Sequence, residues 1–104
     1  MNSGSTVTAE LERLADGSYC LRGELSFTTV PDVRRVGLET FDAGDEIRLD
    51  LSAVSRADSA GLALLIEWLR YARQTNKTVH YLNMPTQMLE IARTSSLDEI
   101  LPLV

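Results

Sequence analysis

Apolar residues alternate with polar ones in two stretches near the start of the chain, and this is the period of a β-strand that buries one face. The alternating apolar positions are Val7, Ala9, Leu11, Tyr19, Leu21 and Leu25. Asp16-Gly17, a dipeptide typical of tight hairpin turns, separates the two stretches. The pattern therefore predicts that the chain opens with a β-hairpin.

Two later stretches also indicate strands. Ile47, Leu49 and Leu51 alternate with polar residues and predict a strand that ends near Val54, where a short polar loop follows. The last and shortest strand is predicted at Val79, Tyr81 and Leu82.

Helical signals lie between these strands. Thr29, Pro31 and Asp32 supply a hydroxyl cap, a first-turn proline and an early acid, which together favour a helix start. The buried side of this first helix is predicted to be Val33, Val36 and Phe41, and its end to be Ala43-Gly44-Asp45. Another helix is predicted to start at Met84-Pro85 and to bury Met88, Leu89, Ile91 and Ala92, with a last helical turn over residues 97–101.

The strongest helical pattern covers Ser59–Gln74, and its apolar arc is wider than one sheet face requires. That arc contains Gly61, Leu62, Leu64, Leu65, Ile66, Trp68, Leu69, Tyr71 and Ala72. One interpretation is that neighbouring helices flank this helix and bury it. The other is that Leu64, Trp68 or Tyr71 forms an apolar edge for a partner. The helical wheel does not separate the two.

The order β-β-α-β-α-β-α-α places helices between successive strands, which predicts an α/β fold around a partly parallel sheet. A chain of 104 residues is the length of one domain, so we expect one domain over residues 1–104, with residues 1–5 flexible. The net charge of −5 disfavours binding to nucleic acid or to anionic lipid. No segment has the length of a bilayer span or the features of a signal peptide, which favours the cytoplasm.

The residues that could carry chemistry do not form a recognisable catalytic set. His80 and Cys20 are the only residues of their types, and neither has a second ligand nearby in sequence. Asp50 and Asp58 could form a carboxylate pair or a magnesium site across a strand-to-helix loop, but an acid before a helix is favoured for capping alone. We therefore expect a protein that is not an enzyme and that binds no cofactor or metal.

The junction Asp58-Ser59-Ala60-Gly61 stands out because a hydroxyl lies in the first turn of a helix. Free N–H groups and the helix dipole tolerate a negative group there, so a phosphate on Ser59 would be accommodated. The simpler interpretation is that Ser59 shares an N-cap role with Asp58. Composition and spacing alone favour the simpler one.

Residues 49–65, LDLSAVSRADSAGLALL, resemble the signature of STAS domains, named after sulfate transporters and anti-sigma factor antagonists. Residues 21–25 are similar to the second strand of that family and its following turn. The C-terminal part of the chain is similar to the C-terminal helices of the family, at Pro85, Met88, Leu89, Ala92, Leu97 and Ile100. The resemblance implies a STAS fold with a mixed central sheet of about four to five strands, helices mainly on one face, and an exposed Ser59.

Two branches of the family are similar to this chain. In anti-sigma factor antagonists, the serine that matches Ser59 is phosphorylated by a kinase that is also the partner. The run of residues 60–68 and the ending at residues 100–103 look more like the small cytoplasmic subunit of the Mla phospholipid transporter (MlaB-like), whose matching region docks onto the ABC ATPase. Antagonists more often have a small polar residue where Ala60 stands and a glycine where Ala63 stands.

The resemblance thus implies a non-catalytic cytoplasmic subunit of an inner-membrane ABC transporter for phospholipid, held at the membrane by its partner. It would bind and regulate the ATPase subunit, which would carry nucleotide and magnesium. The residues expected to bind this partner are Arg56, Asp58, Ser59, Ala60, Gly61, Ala63, Leu64 and Glu67. The alternative is an anti-sigma factor antagonist, switched by phosphorylation of Ser59 and bound to a serine kinase.

Overall fold

The computed structural model describes residues 8–41 and 45–102. Within them, strands and helices follow each other as β1 (Ala9–Arg13), β2 (Tyr19–Leu25), α1 (Val30–Thr40), β3 (Glu46–Ala57), α2 (Ser59–Gln74), β4 (Thr78–Leu82) and α3 (Thr86–Thr94). The predicted element order is confirmed up to α3. Residues 98–100 form a hydrogen-bonded turn, not the predicted last helical turn. Residues 1–5 and most of the predicted end of the first helix lie outside the described residues.

The sheet has four strands in the order β1-β2-β3-β4. β1 pairs antiparallel with β2, as the hairpin pattern predicts, and Gly17 adopts a positive φ of 89° in the turn between them. β2, β3 and β4 pair in parallel through crossovers that contain α1 and α2. The mixed α/β sheet expected from the sequence is therefore confirmed.

β3 is longer than predicted because it contains two irregularities in its pairing with β2. Cys20 pairs with Asp50 but Arg22 with Ala53, and Gly23 pairs with Val54 but Glu24 with Arg56. Each shift places an extra β3 residue in the ladder, so the buried positions change from every second to every third residue. The alternation ends at Leu51 for this reason, while the strand itself continues to Ala57.

The helices cover one face of the sheet. Both parallel crossovers run in the same direction, and a right-handed connection then puts α1 and α2 on the same side. α2 contacts α1 on one flank and α3 on the other. Tyr81 of β4 is buried beneath α2, where its hydroxyl donates to the Leu65 carbonyl at 2.6 Å. Burial raises the pKa of the Tyr81 phenol, so the proton that makes this bond is retained.

The wide apolar arc of α2 is mostly buried by the fold, which is the first of the two interpretations given above. Trp68 and Leu64 are each only 1% exposed, so both belong to the core. Phe41 makes edge-on contacts with Tyr19 and Trp68, with ring centroids 5.0 and 5.1 Å apart. Tyr71 remains half-buried. The flanking helices α1 and α3 therefore account for most of the arc.

The first-helix prediction needs one correction at its cap. Thr29 is the N-cap residue of α1, but its side chain makes no capping hydrogen bond. Instead its hydroxyl donates to the Glu24 carbonyl at 2.7 Å and accepts from the Ser26 amide at 3.0 Å. The side chain thus joins the start of α1 to the end of β2.

Candidate functional site

β3 passes into α2 through a single residue, Asp58, and not through the short polar loop that the sequence predicts after Val54. The Asp58 carboxylate accepts from the Ala60 amide at 2.8 Å, which is the N-cap bond of α2. The Asp58 amide donates to the Leu25 carbonyl at 3.1 Å and so ties the junction to the end of β2. Asp58 therefore performs the capping role that the sequence favours.

Ser59 is the first residue of α2 and is exposed. Its hydroxyl makes no hydrogen bond to any described residue, and the N-cap bond of α2 is made by Asp58. The prediction of a shared cap is therefore wrong for Ser59. Among the residues that the structure describes, none holds the Ser59 side chain by a hydrogen bond, so this side chain can contact a partner or a modifying enzyme.

Gly61 lets the first turn of α2 lie close to the sheet. A Cβ atom on Gly61 would lie 2.9 Å from Leu25 Cβ and 3.3 Å from Ala57 Cβ. Any larger residue would push the helix start away from β2 and β3. Gly61 is thus a positioning residue, because it determines how far the turn that carries Ser59 stands from the sheet.

An apolar groove of about 480 Å³ lies beside this turn, between the start of α1 and the outer face of α2. Its lining residues are Phe27, Val30, Pro31, Ala60, Ala63, Leu64, Ile66, Glu67 and Arg70. Phe27, in the segment between β2 and α1, is 78% exposed. We call this surface the apolar groove.

Two charged side chains of α2, those of Glu67 and Arg70, line the apolar groove. Arg34 of α1 and Glu67 of α2 form an ion pair with Nε and Oε2 2.5 Å apart. Both side chains are about half exposed, so the pair contributes little to stability and joins the two helices at the surface. Arg70 also lines the groove and has no ion-pair or hydrogen-bond partner among the described residues.

The eight residues predicted to bind a partner differ in accessibility. Four of them are exposed, namely Arg56, Asp58, Ser59 and Ala63. Two are half-buried, namely Ala60 and Glu67. Gly61 and Leu64 are buried. Leu64 still forms part of the floor of the apolar groove, whereas Gly61 faces the sheet.

Arg56 is not in a loop either. It is the second-last residue of β3 and lies beside a small polar cleft of about 100 Å³. Glu24, Asp58 and Gln87 also line this cleft. The Gln87 side-chain carbonyl accepts from the Ala57 amide at 3.2 Å, which connects α3 to the end of β3. Ser59 and Arg56 therefore lie at the same end of the sheet, on either side of Asp58.

The suggested pair of Asp50 and Asp58 does not form. All residues between them belong to β3, so at about 3.3 Å per residue the carboxylates are on the order of 20 Å apart. Asp50 accepts from Asn83 Nδ2 at 3.0 Å and from the Ser52 amide at 2.9 Å, and these bonds lower the pKa of Asp50. Each carboxylate therefore serves its own local hydrogen bonds.

The other two residues considered for chemistry, His80 and Cys20, also take part in no larger cluster of reactive side chains among the described residues. His80 Nε2 lies 3.5 Å from Glu46 Oε2 on an exposed part of the sheet, and Cys20 is a half-buried free cysteine. In the part of the chain that the structure describes, no group of three or more His, Cys, Asp or Glu residues is placed to hold a metal ion. None of the described helices is long and apolar enough to cross a membrane.

Fold and exposed helix start together define a mixed α/β module of the STAS type, and comparison with known proteins supports this class. The family model described as Mlab, STAS domain matches residues 14–104. The chain therefore belongs to the STAS domain family, in its MlaB-like group. A comparison with curated proteins gives no match.

Solved structures of anti-sigma factor antagonists have the same fold. The antagonist SpoIIAA in its unphosphorylated form is 21% identical, with a TM-score of 0.71 over 92% of this chain and 85% of that chain. SpoIIAA of Bacillus in its phosphorylated form is also 21% identical, with a TM-score of 0.69 over 92% and 88% of the two chains. An antagonist from Mycobacterium paratuberculosis is 21% identical, with a TM-score of 0.67 over 99% and 89%.

The residues predicted to bind a partner omit five that line the apolar groove and one beside it. The five are Phe27, Val30, Pro31, Ile66 and Arg70, and the one beside it is Arg34, the ion-pair partner of Glu67. Phe27 had a usable signal, since it is a large apolar residue between a predicted strand and a predicted helix start. Arg34 and Arg70 had none, because their position beside the groove depends on how α1 packs against α2.

Proposed function

We propose that this chain is a non-catalytic subunit of an inner-membrane ABC transporter for phospholipid, and that it binds and regulates the ATPase subunit. The supporting observation is the exposed start of α2, where Ser59 and Ala63 stand beside the apolar groove. Small side chains allow a partner to approach closely, and the groove offers apolar area that the fold itself leaves unburied. The MlaB-like family model supports the choice of partner class.

The regulation follows from differential binding. A subunit that binds one conformation of the ATPase more tightly than another shifts the population towards that conformation. The domain needs no reactive group for this role, and nucleotide and magnesium belong to the ATPase. Its location is then the cytoplasmic side of the inner membrane, where the ATPase holds it.

The test is affinity purification of the tagged chain from its own cells in mild detergent, with partners identified by mass spectrometry. We expect an ABC ATPase together with membrane subunits. The variant Ser59→Arg should reduce recovery of the ATPase at least about tenfold, because a long charged side chain would be desolvated and would clash at the start of α2.

The matched control is Ser95→Arg, which places the same side chain at an exposed serine at the end of α3. It should leave recovery unchanged. Equal recovery with Ser59→Arg would show that the interface lies elsewhere, and an absence of any ABC ATPase would refute the transporter role.

A second candidate is a phosphorylation switch of the anti-sigma factor antagonist type. The specific observation is the unbonded, exposed Ser59 hydroxyl at a helix N-terminus, where the positive end of the helix dipole would favour a phosphate. The same purification decides between the two. Recovery of a serine kinase, with phosphate on Ser59 in the intact-mass spectrum, would favour the switch.

A further inference from the structure

The apolar groove continues into a second groove along the seam between α1 and α2. The second groove encloses about 260 Å³, and Leu38 of α1 and Tyr71 and Gln74 of α2 line it. Glu67 and Arg70 line both grooves, so the two meet at these residues. Large apolar side chains stand at the two ends, with Phe27 78% exposed and Leu38 36% exposed.

The charge along this seam is opposite in sign to that of the chain. The charged residues that line the two grooves are Arg34, Arg70 and Glu67, which sum to +1, whereas the whole chain carries −5. Glu67 is already paired with Arg34, and Arg70 has no described partner. An acidic group on a partner would therefore find an unpaired arginine between two apolar depressions.

The two grooves follow one another along α2, the first lined by its residues 60–70 and the second by its residues 67–74. Leu64 lies in the floor of the first groove and Tyr71 in the wall of the second, two helical turns further along α2. Two turns correspond to about 10 Å at ~1.5 Å per residue. A helix laid along the seam would thus place apolar side chains two turns apart into the two grooves, with its intervening turn above Arg70.

We propose that the seam between α1 and α2 binds an acidic amphipathic helix of the ATPase. Its apolar side chains two turns apart fill the two grooves, and an Asp or Glu between them pairs with Arg70. This inference rests on the proposed function and specifies the chemistry of the partner segment.

The first test maps the contact by photo-crosslinking in cells. p-Benzoylphenylalanine replaces Ala63 in the first groove or Leu38 in the second, and Ser52 on the opposite face of the sheet is the control position. We expect the positions of Ala63 and Leu38 to crosslink to one helix of the ATPase, about two turns apart, with an acid between. Ser52 should give no such crosslink.

The second test measures the affinity of the purified ATPase for two variants of equal charge change. Arg70→Glu should weaken binding about tenfold or more, because the acid of the partner would face a like charge. Arg73→Glu, on the same helix but outside both grooves, should change it less than about twofold. Both side chains are exposed, so both variants should keep the thermal midpoint of the parent chain.

The outcomes separate this inference from the proposed function. Recovery of the ATPase with crosslinks only outside the seam, or equal affinities for Arg70→Glu and the parent chain, would refute the seam and leave the transporter role intact. Crosslinks to a second copy of the chain or to its own residues 1–7 would also refute it. A crosslink from the seam to an acidic helix of a serine kinase would support the proposal that the seam binds an acidic helix, and it would refute the transporter role.

Discussion

At the scale of single residues, Gly37 of α1 controls how closely α1 approaches α2. A Cβ atom on Gly37 would lie 2.5 Å from Trp68 Cζ2 and 2.8 Å from Trp68 Nε1. The indole ring is buried, and its Nε1 has no hydrogen-bond partner among the described groups. The helix-helix contact therefore depends on the absence of a side chain at this one position.

Gly37→Ala is expected to lower the free energy of unfolding by up to about 2 kcal/mol. Overpacking of this kind costs about 1–3 kcal/mol, and the gain in helix propensity from glycine to alanine offsets about 1 kcal/mol of that cost. The measurement is urea unfolding followed by the fluorescence of Trp68, the only tryptophan of the chain. Arg35→Ala, an exposed change on the same helix, should stay within about 0.5 kcal/mol. A stability increase for Gly37→Ala would mean that α1 moves aside without loss.

Trp68 shows what a sequence pattern leaves open at this scale. A helical wheel gives the direction of Trp68 from the axis of α2 but not what stands there. Gly37 supplies the space for the ring, and nothing in the spacing of residues 30–40 distinguishes a glycine that receives a ring from one that weakens a helix. The core position of Trp68 therefore became clear only from the packing of two helices.

At the scale of elements, the junction between β3 and α2 separates what was predictable from what was not. Ser59–Gln74 was predicted with its observed bounds because helix periodicity and an N-cap residue agree. The end of β3 was misplaced because two pairing irregularities interrupt the alternation after Leu51. Such irregularities are a property of the pairing with β2, so they leave no local signal in β3.

Removal of the α2 cap should weaken the element that carries the candidate site. Asp58→Ala deletes the bond from the Ala60 amide and should lower the free energy of unfolding by about 1 kcal/mol, whereas Asp58→Asn keeps an accepting oxygen and should cost only a few tenths. Chemical denaturation of both variants measures this. Equal losses for Ala and Asn would show that the negative charge at the helix start matters more than the hydrogen bond.

The same pair of variants bears on the interface. Asp58 is exposed at the start of α2, so its charge is available to a partner while its oxygen caps the helix. An Asp58→Asn variant of normal stability that binds the ATPase weakly would assign the charge to the partner. Normal binding would leave Asp58 with the capping role alone.

At the scale of the whole molecule, the order of strands and helices was predictable and the shape of its surface was not. Periodicity and turn residues are local signals, and they were enough to predict the partly parallel sheet. The exposed start of α2 was implied by the resemblance to STAS domains. The apolar groove forms where the segment after β2, the start of α1 and the outer face of α2 meet. Residues from two separate parts of the chain, 27–31 and 60–70, build it, so no single stretch of sequence indicates it.

Phe27 lines the apolar groove but is largely exposed, so replacing it should change partner binding without changing stability. Because 78% of its surface is already exposed, Phe27→Ala removes little buried area and should change the free energy of unfolding by less than about 0.5 kcal/mol. If Phe27 is an aromatic anchor of the interface, the same truncation should cost about 2 kcal/mol of binding free energy, which is more than tenfold in affinity.

Ile100→Ala is the control for Phe27→Ala, since Ile100 is 46% exposed and lies in the turn after α3, outside both grooves. Thermal unfolding and the affinity for the purified partner are measured for both variants. If both fold normally and only Phe27→Ala binds weakly, the exposed aromatic ring is retained for docking and not for the fold. If Phe27→Ala unfolds at a lower temperature, Phe27 contributes to the packing between β2 and α1, and the docking surface must begin at α2.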